Sequence, residues 1–120
     1  DLQKASWEQI SKEAEGSTVN FVMWQGSPII NNYINNYVVP RVKEELNIDL
    51  RISGGQGTEI VQLIMGEKQA GVEKGQADIV WINGETFFQL NIQIINNTSS
   101  EFCIFTSNLY YFSSSFNIYI

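Results

Sequence analysis

Between residues 6 and 90 the apolar positions switch repeatedly between a helical period and short runs rich in branched side chains. Ser6-Trp7-Glu8-Gln9 has the form of a capping box, with Ser6 as N-cap and Gln9 three residues on. Trp7, Ile10 and Ala14 extend it as a short apolar stripe that Gly16 stops. The β-rich run Thr18-Val19-Asn20-Phe21-Val22-Met23-Trp24, bounded by Gly16 and Gly26, predicts a strand. Ile30, Tyr33, Ile34, Tyr37, Val38 and Val42 then recur on one helical face. Pro40 lies inside that pattern without an amide donor, which predicts a kink or break.

A second strand is expected over 48–52, then the loop Ser53-Gly54-Gly55-Gln56-Gly57. Thr58 is placed to cap the following helix, with Glu59 in its first turn. Ile60, Val61, Ile64 and Met65 form the apolar face of that helix, and Gly71 ends it. Ala77-Asp78-Ile79-Val80-Trp81-Ile82 reads as a third strand, Asn83-Gly84 as turn and cap, and Phe87, Phe88 and Leu90 as the opening of a fourth helix. Strands separated by helices argue for βαβ units around a mostly parallel sheet. The apolar runs of the first and third strands suit strands covered on both faces, so the expected fold is α/β, a three-layer αβα lobe.

The pattern changes after Leu90. From 91 to 120 there is no Gly or Pro, and Glu101 is the sole charged residue. The fourth helix is expected not to continue there. Phe102, Ile104 and Leu109-Tyr110-Tyr111-Phe112 suit β structure, and Phe116, Ile118 and Ile120 alternate well. Low charge, high β propensity and no Pro also describe an aggregation-prone segment. We therefore divide the chain into 1–90, a partial lobe, and 91–120, an atypical low-charge tail capable of forming strands. The tail reads either as a natural domain ending or as an abnormal one, a shifted reading frame included.

Composition narrows the chemistry. At 120 residues one domain is the most the chain holds, and a net charge of −6 without a basic run argues against a nucleic-acid partner. With no His and Cys103 alone, the common zinc sets and His-based nucleophilic catalysis are excluded, and no cofactor is expected. No stretch reaches the roughly 18 apolar residues of a membrane span. The chain opens at Asp1 rather than Met, which is expected of a processed or trimmed product.

In an open parallel sheet, ligands collect beyond the carboxyl ends of the strands, near a reversal of strand order. Three segments are expected to meet there. In Trp24-Gln25-Gly26-Ser27-Pro28, Gly26 lets the backbone approach a ligand, and Ser27 serves either as a helix cap or as a hydroxyl offered to an anion. In Ser53-Gly54-Gly55-Gln56-Gly57-Thr58, Gly55 and Thr58 belong either to an anion-binding nest or to a plain flexible connection. That loop has neither the Gly-Lys-Ser/Thr of a nucleotide phosphate loop nor Gly-x-Gly-x-x-Gly spacing. In Trp81-Ile82-Asn83-Gly84-Glu85, Asn83 and Glu85 either meet a polar or cationic group or cap the next helix. Trp24 and Trp81 at two strand ends supply either an aromatic wall or core packing. Asp78 and Glu67 have no recognisable catalytic partner.

The run 18–24, Gly26-Ser27-Pro28, Asn31-Asn32-Tyr33 and above all Ala77-Asp78-Ile79-Val80-Trp81-Ile82-Asn83-Gly84-Glu85-Thr86-Phe87 carry a resemblance to a known family. The chain resembles the periplasmic solute-binding proteins of ABC importers, in the uncharacterised branch near the thiamine, polyamine and iron binders. Glu67 with Gly71 also suits the end of that family's second helix. The resemblance runs from roughly Trp7 to Leu90 and implies a truncated version of the family's first lobe. It implies a periplasmic or extracytoplasmic location, capture of a small-molecule solute, and delivery to the membrane permease of an importer. On the same footing, Trp24, Gly26, Ser27, Asn83 and Glu85 line the first lobe's side of a cleft between two lobes. Residues 91–120 match nothing in the family's continuation.

The expected function is therefore non-catalytic solute capture, incomplete in this chain alone. One alternative is a structural or oligomerising α/β domain in which the apolar tail adds strands to a second copy. Another is a small α/β enzyme using Asp78 or Glu85 as general base.

Overall fold

A computed structural model describes residues 4–95, 102–106, 110–114 and 117–119, with side chains through residue 90. The run 96–100, Glu101, Leu109, Phe116 and Ile120 lie outside the described residues. The element order is α1 (Trp7–Ala14), β1 (Thr18–Met23), α2 (Pro28–Tyr33), a π-helical segment (Ile34–Val38), α3 (Val39–Leu46), β2 (Asp49–Gly54), α4 (Gly57–Gln69), β3 (Ile79–Ile82), α5 (Gly84–Ile95), β4 (Phe102–Thr106), β5 (Tyr110–Ser114) and β6 (Asn117–Tyr119). The fold is α/β. Its sheet has the order β2-β1-β3-β4-β5-β6, so strand order reverses at β1.

The backbone contacts divide the chain into two compact units, one of residues 1–19 and 27–51, the other of 20–26 and 52–120. In the first unit α1 begins with the expected capping box. The Ser6 hydroxyl accepts the Gln9 amide at 3.3 Å, and the Gln9 side-chain oxygen accepts the Ser6 amide at 2.9 Å. A backbone hydrogen bond, and after it the Ser6 hydroxyl, hold the exposed Glu8 carboxyl below the usual carboxylate range. Trp7, expected on the apolar stripe, is exposed.

The long helical pattern of this unit stays helical through Pro40, but its hydrogen-bond register changes. The Val39 amide bonds back five residues to the Ile34 carbonyl. A proline has no amide for the ordinary four-residue bond, and its ring crowds the carbonyl four residues back. A widened π turn over Ile34–Val38 lies just before it and lets the helix continue into α3. The predicted apolar face separates into two stripes. Ile34 is buried, with Ile30, Val38 and Val42 half-buried, whereas Tyr33 and Tyr37 stack on each other at the surface with ring centroids 5.3 Å apart. The ends of this unit are joined by backbone bonds from Gly16 to Asn47 (2.8 Å) and from Asp49 to Ser17 (2.9 Å).

In the second unit β3 lies parallel to both its neighbours, pairing Val22 with Val80 on one side and Val80 with Ile104 on the other. β3–α5–β4 is therefore a βαβ unit, and β5 and β6 extend the sheet in antiparallel fashion. Val22, Val80 and Ile82 form one core cluster with Ile60 and Ile64 of α4 and Leu90 of α5. Phe21 and Met23 point from the opposite face of β1 and are buried as well, so both faces of this strand are covered, as its unbroken apolar run predicts. At the other end of the pair, the Asp78 carboxylate accepts the Asn20 amide at 2.8 Å and the Asp78 amide donates to the Asn20 carbonyl at 2.9 Å.

One expectation is corrected. α5 does not stop near Leu90 but runs through Ile95. A loss of charge is not a loss of helical propensity, and Asn-Ile-Gln-Ile-Ile brings no Gly or Pro to end the helix.

α4 ends where the sequence expects it. Gly71 has φ +66° and its amide bonds to the Lys68 carbonyl, while the Val72 amide bonds to that of Glu67. This is a Schellman closure, and only glycine enters that left-handed conformation without strain. The Glu67 carboxylate then accepts the Gln76 amide at 2.8 Å and anchors the loop to β3.

Candidate ligand site at the carboxyl ends of the strands

β1 and β2 deliver two loops to the same end of the second unit. The Gly55 amide donates to the Met23 carbonyl at 3.0 Å, which ties one loop to the other. Between them opens a recess of about 350 Å³, lined by Trp24, Gln25 and Gly26 after β1, by Gly54, Gly55 and Gln56 after β2, and by Glu59 in the first turn of α4. The recess lies at strand carboxyl ends, the side of such sheets on which ligands bind, though next to the reversal between β1 and β3 rather than in it.

Gly26 is fixed by a close approach. A Cβ there would fall 1.9 Å from Cζ2 of Trp24, so the indole ring lies directly over the Gly26 backbone. Trp24 is nevertheless 53% exposed, so part of the ring remains open to a ligand. A second close approach lies at the start of α4. A Cβ on Gly57, the first residue of α4, would fall 2.1 Å from Oγ1 of Thr86, a residue only 5% exposed. The amino ends of α4 and α5 therefore converge at the same end of the unit.

The electrostatics are set by Glu59. Its carboxylate accepts the Gln56 amide at 2.8 Å, and it brings a negative charge to the partly positive start of α4. Thr58 is not the cap. α4 begins at Gly57 with Gln56 as N-cap, because the Glu59 side chain folds back onto the Gln56 amide. Thr58 becomes the second helical residue, exposed and outside the recess.

The expected site residues are thus distributed in three ways. Trp24, Gly26 and Gly55 meet in the recess. Ser27 follows directly in the chain and caps α2, its hydroxyl accepting the Ile30 amide at 3.4 Å. Asn83 caps α5 through Oδ1, which accepts the Thr86 amide at 2.8 Å, and Glu85 is exposed in the first turn, 3.5 Å from the Gln89 amide nitrogen. Neither Asn83 nor Glu85 lines the recess. Trp81 is half-buried within β3 opposite Met23 and does not line the recess. Sequence reasoning passed over Gln25, Gln56 and Glu59 as lining residues. Gln25 was signalled by its place between Trp24 and Gly26, whereas Gln56 and Glu59 emerged only with the true start of α4.

Asp78, weighed as a general base, is engaged with Asn20 at the opposite, amino end of β3. Among the described residues no three His, Cys, Asp or Glu side chains group as a metal site, and no helix is long and apolar enough to cross a membrane.

No family model matches the chain, and no solved structure does. Protein YnjB of Escherichia coli (strain K12) is similar, 35% identical over 85 residues. The match takes in 69% of this chain and 22% of YnjB, so the chain spans about a fifth of the length of the curated relative it matches.

Proposed function

We propose that this chain contributes one wall of the ligand cleft of an extracytoplasmic solute-binding protein that serves an ABC importer, and that it does no chemistry on the solute. One observation carries the reading: the recess between Trp24–Gly26 and Gly54–Glu59, built at the carboxyl ends of β1 and β2. Small-molecule sites combine an aromatic or apolar surface with a few placed polar groups. Here Trp24 is the former, while Gln25, Gln56 and Glu59 are the latter. Support also comes from the sequence resemblance over 7–90. The opposing wall belongs, on this reading, to a second lobe, and a lone wall binds weakly because it leaves much of a ligand in water.

The experiment is a titration of the isolated chain with a mixed panel of small metabolites, followed by two-dimensional NMR of backbone amides and tryptophan indoles. Saturable shifts confined to residues 24–26 and 54–59, with millimolar midpoints, are expected. Failure of every panel member to shift those residues overturns the reading. Micromolar or tighter binding by the monomer overturns the single-wall geometry.

A further inference from the structure

An exposed ridge in the first unit takes no part in the recess. Ile29, Tyr33 and Tyr37 follow one another at four-residue spacing along α2 and the π turn, and they are 83%, 56% and 54% exposed. The two tyrosine rings stack with their planes 22° apart, which orders both side chains before anything meets them. The surface around them is polar but uncharged. Pro28, Asn32, Asn35, Asn36 and Pro40 are exposed beside the ridge, and no residue between Glu15 and Arg41 carries a charge. The Asn36 side-chain nitrogen donates to the Asn32 side-chain oxygen, and that of Asn35 donates to the Asn31 carbonyl at 2.9 Å, so these amides are ordered along the helix. Enrichment in tyrosine with depletion of charge is the composition of an interface core.

We infer that this ridge is where two copies of the chain pair, helix against helix across a two-fold axis. The charge pattern selects that occupant. The chain has a net charge of −6, so two copies repel one another, and an uncharged ridge lets them approach without like charges face to face. A two-fold contact must also be complementary to itself. Tyrosine hydroxyls and asparagine amides each offer both a donor and an acceptor, whereas a charged patch would oppose its own copy. A row at four-residue spacing is the ridge by which helices interlock in their commonest packing class. With the helices antiparallel about Tyr33, Ile29 of one copy meets Tyr37 of the other. The nearest charges along the helix stay outside that centre, and Arg41 is already paired with Glu45 at 2.6 Å. Area sets the strength. The three side chains expose on the order of 400 Å², a patch size that on a monomer is often functional. Two copies would bury about 800 Å², short of the roughly 1,200–2,000 Å² of a stable complex, so the dimer is weak and reversible.

The test is sedimentation velocity of the intact chain from micromolar to millimolar concentration, with two-dimensional NMR along the same dilution series. A dimer with a high-micromolar Kd is expected, and dilution should move the amides of residues 28–41; this arm needs no variant. I29K and Y37E change exposed positions, so circular dichroism should stay the same while each weakens dimerisation tenfold or more. An equimolar mixture of the two sets the new ammonium group of one copy against the new carboxylate of the other. It should associate at least fivefold more tightly than either variant alone, and high salt should abolish the advantage. A chain that stays monomeric at millimolar concentration overturns the inference. Association that survives both substitutions also overturns it and assigns the contact to the uncharged tail or another surface. A mixture no tighter than its components overturns the antiparallel pairing. Absence of solute binding at the recess leaves the ridge untouched, so the two readings fail separately.

Discussion

Replacing Gly57 with Ala tests the convergence of the amino ends of α4 and α5. The new methyl would lie 2.1 Å from Thr86 Oγ1 and 3.3 Å from Thr86 Cβ. Comfortable non-bonded separations are about 3.5–4.0 Å, so one helix or the Thr86 side chain must move by more than about 1 Å. Thr86 is 5% exposed and has little free volume to move into. Such overpacking costs about 1–3 kcal/mol. Against it stands the better helix propensity of Ala, at most about 1 kcal/mol and less at the first helical position. The clash wins, and a net loss of about 1–2 kcal/mol is expected. Thr86→Ala removes the hydroxyl that creates the closest approach. The double variant should therefore be more stable than the sum of the two single effects predicts, by about 1 kcal/mol or more. Urea unfolding followed by circular dichroism measures all four corners of the cycle. Additivity within about 0.5 kcal/mol would refute the geometry, since residues in contact do not behave independently.

Two further substitutions probe the same unit. Asp78→Ala removes the acceptor of the Asn20 amide at 2.8 Å. It should cost about 1.5–3 kcal/mol in urea unfolding, with Asp78→Asn recovering much of the loss because an amide oxygen still accepts; indifference to both would mean the bond does not hold β1 to β3. Leu90→Ala empties a fully buried position in the cluster with Ile60, Ile64 and Val80. The expected loss is about 2–5 kcal/mol by the same measurement, and a change below about 0.5 kcal/mol would show that α5 is not seated on the sheet.

What the sequence by itself determined is the local grammar. The Ser6–Gln9 capping box, the Gly71 stop, the Asn83 cap and the apolar strands at 18–23 and 79–82 follow from side-chain chemistry acting within a few residues. Pro40 marks a local irregularity that the sequence shows, but the chain answers its missing amide with a π turn and stays helical rather than breaking. The end of α5 is not legible from the loss of charge after Leu90, because uncharged Asn, Ile and Gln continue a helix as readily as charged residues do.

Tertiary structure decided the rest. Trp24, Gly55 and Glu59 lie on separate elements, and only the sheet order and the Gly55–Met23 bond bring them around one recess. Gly57 reads as one more loop glycine until Thr86 stands against it. Asp78 reads as a candidate base until the Asn20 amide is found on its carboxylate. Such assignments depend on groups far apart in the chain, and a pattern of local preferences carries no information about which distant group will arrive.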